Sequence, residues 1–516
     1  MIFFVNDTLL DKKSGIDQAV IKRMQLFERQ NIAYTYVTRD WSQDLHHQLN
    51  ALGVSDRRLL NMFDYYQQMI DIQPNKTFLP DLDFGLKNLR YIDEQNEDRF
   101  IVQRNDERLV ARVNYQKEDQ HVTSVERFDS AGNLYAIDFY NQRGFKSMTQ
   151  WYTIDHQLRS EVWYTPEGLD VLHATYRQTS QETVEAIGWL LTTPNGQVYQ
   201  FATITALFEH FVNAINELYP EFNTLILDSV TSADAAFTRL RKPAYTVLGV
   251  HNVHVTDTQE PATALLNENY EYALLNVAHF SNVLTTTPKQ TADIVARFPD
   301  IKAATTIPAG YVTNEQHQRP QVKMNKREFG KMVAITNISP NSNLIDLLHV
   351  IKKVHNQIQS VTLDIYGYAD YVNNYAEEIK IRQAIINLEL EEVVQLKGHV
   401  DHLQPVLENA QILVTTAHSS SFDLGLLAGL TNGVVPVAYA VDYAPNALIT
   451  NDQNGCLVTH GDVDAMAEQI VYLLKHQRIL QQFSNSAYET PSAYDEANVW
   501  QAWAQLMTIA KEEHQA

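Results

Sequence analysis

Two histidines three residues apart, His251 and His254, form the most chemically suggestive spacing in the chain. A zinc site would need at least a third protein ligand, and the sequence offers none nearby. The pair therefore either faces an acceptor in a cleft or is held by hydrogen bonds within the fold. Ser419-Ser420-Ser421 supplies three hydroxyls, but no Gly-x-Ser-x-Gly elbow surrounds them, so a hydrolase triad has no support. A Gly-x-x-x-x-Gly-Lys phosphate loop is absent. Asp56-Arg57-Arg58 could anchor a phosphate; the favoured reading is a helix-start charge cluster pairing with a sheet insertion described below. Ser14-Gly15, following a short apolar strand, could present backbone N–H groups to an anion. Cys456 is the single cysteine, which excludes an internal disulfide framework and any multi-cysteine metal site.

Three textures must position these residues. The first is an α/β opening: strand 1–5, a turn at Ser14-Gly15, and a helix over 16–29 with apolar residues at Ile16, Val20, Met24 and Phe27. Strand 33–37 follows. From about Tyr91 to Phe201 the texture changes to short alternating runs separated by turns at Asp129-Ser-Ala-Gly132, Thr165-Pro-Glu-Gly168 and Thr193-Pro-Asn-Gly196. That pattern predicts an antiparallel meander of hairpins. Its aromatic residues (Phe139, Tyr140, Trp151, Tyr152, Trp163, Tyr164, Trp189) suit a pleated surface packed on something, either its own domain or another chain. After Phe201 strands alternate with helices again, and the polar, basic stretch 314–327 reads as an interdomain linker. A second βα series runs from Lys331 through Val434-Val-Pro-Val-Ala438 into C-terminal helices. Such alternation means parallel, doubly wound sheets, which bind ligands at their strand C-terminal ends.

The chain has 516 residues, 45% hydrophobic and 20% charged, with a formal net charge of -22. Its length exceeds one ordinary core. The acidity argues against nucleic acid as a partner, because that affinity comes from Lys and Arg. It also disfavours direct docking on an anionic membrane, although Lys323 to Lys331 is a local basic patch. No run approaches the ~18 apolar residues of a membrane helix. The opening MIFFVNDTLLDKK puts apolar residues before charges, the wrong order for a secretory signal. The expectation is a cytoplasmic protein that reaches the membrane face only through a complex.

The order of motifs in the second half resembles the retaining, nucleotide-sugar-dependent glycosyltransferases of the GT-B fold. The closest likeness is to the bacterial branch with an inserted β-sheet domain. That branch includes the poly(glycerol-phosphate) α-glucosyltransferases and the two-subunit O-GlcNAc transferases of serine-rich adhesins in Gram-positive bacteria. Its carriers are Ser14-Gly15, the segment Ser55 to Tyr66, and His251-Asn-Val-His254. They continue with Asp364-Ile-Tyr-Gly367, Gln395-Leu-Lys-Gly-His399, Pro436-Val-Ala-Tyr and Asn454-Gly455. The resemblance implies two facing Rossmann-like domains with an antiparallel β-meander inserted in the N-terminal one. The expected boundaries are 1–75 and 205–313, an insertion over 76–204, a linker over 314–327, a second domain over 328–490, and a C-terminal helix over 491–516.

It also implies where catalysis would sit. Expelling a nucleoside diphosphate builds negative charge, which active members stabilise with an Arg and a Lys from the loop after the first strand of the C-terminal domain. Here those positions fall at Asn337 and Ser342. Two glutamates eight residues apart, one touching the sugar and one the ribose, correspond to Ser420 and Ala428. Asp423 replaces the glycine that precedes the next helix, setting a carboxylate where a diphosphate would want bare N–H groups. Each lost donor is worth ~3 kcal/mol of transition-state stabilisation, so the donor site reads as dismantled. Ser14, Gly15, His251, His254 and Gly367 remain as cleft or acceptor-binding candidates, with no metal and no cofactor expected. The implied role is a non-catalytic subunit with two partners: a homologous catalytic subunit and a Ser/Thr-rich acceptor protein. The alternatives are an active α-glucosyl or GlcNAc transferase using a UDP-sugar, with Asp423, Lys352, Lys353 or Lys397 as replacement groups, and a secretion-associated scaffold.

Overall fold

Strand Ile2–Asn6 buries Phe3, Phe4 and Val5 completely, the near-continuous apolar run of a strand covered on both faces. In the computed structural model, which describes residues 1–9, 15–69, 75–179, 184–229, 233–369, 375–400, 402–489 and 492–515, it belongs to a parallel sheet. By internal contacts the chain divides into two compact units, Met1–Leu9 with Ala33–Ala244 and Leu10–Ile32 with Tyr245–Ala516. In the first, parallel strands lie in the order Thr224–Leu227, Ile2–Asn6, Thr35–Thr38 and Leu59–Asn61; in the second, Ala304–Thr306, Asn282–Thr285 and Tyr245–Val250 lie side by side.

The first unit holds the antiparallel meander, ten described strands from Arg90–Glu94 to Val198–Phe201, each paired with the next in chain order. The hairpins close where the sequence places glycine: Gly132, Gly168 and Gly196 have φ of +87°, +84° and +81°, a region that disfavours other residues. At the first turn the Asp129 carboxylate accepts from the Ala131 and Asn133 amides at 2.8 and 2.9 Å. One end of the sheet packs Val102, Ala111, Val113 and Val125 beneath Leu79, Leu82 and Phe84. Farther along, Trp163 and Trp189 stack at 5.6 Å, and Phe63 lies 4.8 Å from Trp163. Helix Ile204–Leu218 returns the chain to the parallel layer. Thr203 caps it by accepting from Ala206 N at 3.2 Å, and Phe208, Phe211, Val212 and Ile215 form its buried stripe.

Two contacts of the Asp56-Arg57-Arg58 cluster lie outside the inserted sheet. Asp56 lies 3.7 Å from His46, and the Arg58 guanidinium sits over the Tyr34 ring at 5.2 Å. Ties to the sheet come from the helix Met62–Tyr66 and the residue after it. Asp64 accepts from Arg143 at 2.9 Å, and Gln67 Nε2 donates to the carbonyls of Ser147 and Tyr164 at 2.8 and 2.7 Å.

In the second unit, six described strands form a second parallel sheet. Their order is Val394–Gly398, Thr362–Tyr366, Lys331–Ile335, Ile412–Thr415, Val435–Tyr439 and Cys456–Val458. Leu347, Leu348, Ile351 and Val354 of helix Leu344–Gln357 are buried against it. The stretch leading in, 314–327, carries a helical turn at Asn314–His317 and ends on a buried arginine. The Arg327 guanidinium donates to the carbonyls of Leu407 and Ala410 at 2.7 and 2.6 Å and to that of Asn432.

Candidate functional site

The loops at the C-terminal ends of Lys331–Ile335, Thr362–Tyr366 and Ile412–Thr415 are where ligands bind in such a sheet. Here they grip one another. Asn337 turns its Oδ1 to the Tyr368 amide at 3.3 Å, and Ile338 N donates to Tyr368 O at 2.8 Å. Gly367 explains how close this approach is: a Cβ there would lie 2.1 Å from Thr336 O. Asn341 Nδ2 donates to Ser419 O at 3.0 Å, the Ser419 hydroxyl meets Asn341 Oδ1 at 3.0 Å, and His418 N donates to Asn341 O at 2.9 Å.

Ser342 is buried and turned inward, donating to Ser339 O at 2.6 Å within its own turn. Ser420 contributes its carbonyl to the amides of Tyr443 and Ala444 at 2.9 and 3.0 Å. Ala428 sits half-buried in helix Leu424–Thr431. Asp423 is the N-cap of that helix and accepts from Leu426 N at 2.8 Å, with burial holding its carboxyl above the ordinary carboxylate range. It therefore occupies an N–H that an anion would use. The lysines that could substitute are engaged: Lys352 with Glu389 at 3.6 Å, Lys353 with Asp464 at 2.6 Å, and Lys397 within 4.0 Å of Asp364.

The same unit places His251 and His254 beside these loops. His251 N and Asn252 N both donate to the Tyr270 hydroxyl, at 3.2 and 3.0 Å, and the Ser421 hydroxyl donates to His251 O. Thr286 Oγ1 donates to Ser421 O at 3.2 Å. His254 is fully buried, its ring 6.2 Å from that of Tyr443 and 26° from parallel. Neither of its ring nitrogens has a hydrogen-bond partner among the described residues. Burial pushes its pKa down to about 4; the cations Arg297 and Lys289 add to this and Asp293 opposes it. A neutral imidazole follows, and no hydrogen bond fixes its tautomer. Among the described residues no group of three His, Cys, Asp or Glu is placed to hold a metal.

Gly15 opens helix Gly15–Arg29, exposed and with open space where a Cβ would go, while Ser14 lies outside the described residues. Sequence reasoning passed over Gly310, Asn341, Tyr368 and Tyr443. A Cβ on Gly310 would meet Leu424 Cδ2 at 2.4 Å, so this loop lies directly against the helix that Asp423 caps. None of the four carries a local signal, because each matters only through a partner distant in sequence.

Residues 330–476 match the family described as glycosyl transferases group 1, and residues 92–186 match the GtfB middle domain. Over 97% of its length the chain is 21% identical to a poly(glycerol-phosphate) alpha-glucosyltransferase of Bacillus subtilis, covering 74% of that protein. The pneumococcal O-GlcNAc transferase GtfA, solved with UDP and GlcNAc, superposes with a TM-score of 0.81 at 17% identity. The match covers 99% of this chain and 98% of that one. A chain of the GtfA/B complex gives 0.74 at 20% identity, covering 99% and 100%. At these identities the superpositions establish the fold, two Rossmann-like domains with an antiparallel insertion. Residues 330–476 thus carry a group 1 glycosyltransferase segment within a GT-B fold, and the chain as a whole is similar to the poly(glycerol-phosphate) glucosyltransferases and to the GtfA and GtfB proteins.

Proposed function

We propose that this chain is a non-catalytic subunit of a glycosyltransferase complex, which stabilises a homologous catalytic subunit and helps bind a Ser/Thr-rich surface protein for O-glycosylation. One observation carries the reading: the loops bearing Asn337, Ser342 and Ser420 are tied by their own hydrogen bonds, and these residues, with Ala428, stand where the resemblance calls for charge. A departing diphosphate would meet no preorganised cation from those positions, at ~3 kcal/mol for each missing donor. The GtfB middle domain match and the likeness to a chain of the GtfA/B complex support an assembled state. The inserted sheet exposes Trp151, Ile154, Leu169, Ile187, Leu190 and Val198, apolar groups that a partner subunit would cover. No helix among the described residues is long and apolar enough to cross a membrane. Residence in the cytoplasm, with contact to the membrane face through the complex, fits this role.

A second reading, an active retaining transferase acting on cell-surface protein or wall teichoic acid from a UDP-sugar, draws on the similarity along 97% of the chain to a glucosyltransferase. Calorimetric titration of UDP, UDP-glucose and UDP-GlcNAc into the purified chain separates the two. The expected result is no heat at millimolar ligand, with a homologous subunit recovered by co-purification. Micromolar binding, followed by transfer from the chain alone, would establish the second reading instead.

A further inference from the structure

Helix Gly15–Arg29 lays its three cations against aromatic rings. Lys22 Nζ stands 5.4 Å from the centroid of Tyr311 and the Arg29 guanidinium 5.4 Å from the same ring, while that of Arg23 lies 5.2 Å from Trp503. Both rings, with Arg23 and His251, line one open recess within the second unit. The helical period explains the convergence. Positions 19, 22, 23 and 26 share one face, and Ala19, Arg23 and Leu26 form a wall of that recess.

An aromatic face attracts a cation without neutralising it. Arg29 has an acidic partner as well: its Nη1 donates to the two oxygens of Glu496 at 3.2 and 3.1 Å. Its Nη2 donates to the Tyr311 hydroxyl at 2.9 Å, and that hydroxyl donates to Lys22 O at 3.1 Å, so ring and helix are fixed together. These bonds use three of the five guanidinium donors and leave two. Lys22 is different. Its half-buried ammonium has no hydrogen bond or ion pair among the described residues. Burial lowers its pKa, the Arg29 charge lowers it further, and no carboxylate opposes them. A fixed, partly desolvated positive charge is thus left unanswered in a chain whose formal net charge is -22.

We infer that Lys22, Arg23 and Arg29 form an oxyanion site at the Tyr311–Trp503 rim, built for a phosphate group. Phosphate carries a charge of about -1.5 to -2 near neutral pH, which suits two cations better than the single charge of a carboxylate. Its oxygens fan out tetrahedrally and accept from the Lys22 ammonium and the remaining Arg29 donors together. Arg23, only 5% exposed, adds its charge from the recess wall. Leu26, Leu284 and Ile307 make much of that wall apolar, which favours a phosphate carried on a small organic group over the free ion.

The test is phosphorus-31 line broadening on the full chain at constant ionic strength, with inorganic phosphate and phenyl phosphate as probes. The parent is compared with K22Q and with K475Q, which removes an exposed lysine of the same unit, each checked for folding by circular dichroism. Parent and K475Q should broaden both probes saturably, phenyl phosphate at the lower concentration, and affinity should fall at least tenfold in K22Q. Without phosphate the thermal midpoint of K22Q should equal or exceed the parent's, because an unanswered charge has gone. No saturable broadening by the parent, or binding undiminished in K22Q, overturns the site. Equal affinity for the two probes overturns the preference for an organic phosphate and leaves the free ion as the ligand. Inorganic phosphate at this rim involves neither the Asn337–Ser342 segment nor Ser420, so this inference and the proposed role stand or fall separately.

Discussion

Protonating His254 should loosen the loop that follows strand Tyr245–Val250, and the effect has a calculable size. The ring is fully buried with neither nitrogen hydrogen-bonded among the described residues, and its folded pKa is about 4. The value in an unfolded chain is ~6.5. Because the folded value is depressed, the unfolded state binds the proton more readily between these two values. Stability is therefore complete above pH ~6.5 and falls as pH drops towards 4. Linkage gives a loss of ~2 kcal/mol by pH 5 and ~3 kcal/mol once both states are protonated. Replacing His254 with Phe removes both buried polar nitrogens, each of which disfavours folding by an amount on the order of 1 kcal/mol when unpaired. The variant should match or exceed the parent near pH 7.5 and lack this share of the acid sensitivity. Hydrogen exchange of the amides from Val250 to Leu266, corrected for intrinsic rates, reads the local opening without assuming two-state unfolding of so long a chain. Selective carbon-13 labelling of histidine gives the titration directly. An acid slope equal in parent and H254F, or a His254 resonance titrating above pH 6, would refute the reasoning.

Two further outcomes follow from the same contacts. Arg327→Met should strand the carbonyls of Leu407, Ala410 and Asn432 and cost ~3 kcal/mol, while Arg327→Lys recovers part of it; thermal unfolding of the two variants checks this. Gly367→Ala drives a Cβ to 2.1 Å from Thr336 O, so the Asn337–Tyr368 contact should break with a loss of ~2 kcal/mol or more, read as a lower midpoint and faster exchange at Ile338.

Much of the fold was legible because its signals are local. The 3.6-residue period over Ile16 to Phe27 and the alternation from Arg99 to Phe201 reflect which face each element buries, and the structure forms them within a residue or two. The turn glycines were readable for a related reason: a positive φ is a requirement of the residue itself. For Asp56-Arg57-Arg58 the sequence alone could not say which groups would be met, because a charge run carries no information about which layer it will face. The stretch 314–327 looked like a plain linker, since polarity alone does not reveal that Arg327 turns inward to three carbonyls.

That Asn337, Ser342, Ser420 and Ala428 carry no charge is a property of the sequence and needed no coordinates. Which groups they meet did. Ser342 facing its own turn, Asn337 reaching the Tyr368 amide, Arg143 held by Asp64 across 79 residues, and His418 meeting His460 across 42 all depend on which strand ends the sheets bring side by side. Hydrophobic period and backbone conformation are decided within one or two turns of chain. Polar partnerships between loops are decided by strand order, and strand order exists only once the layers have packed.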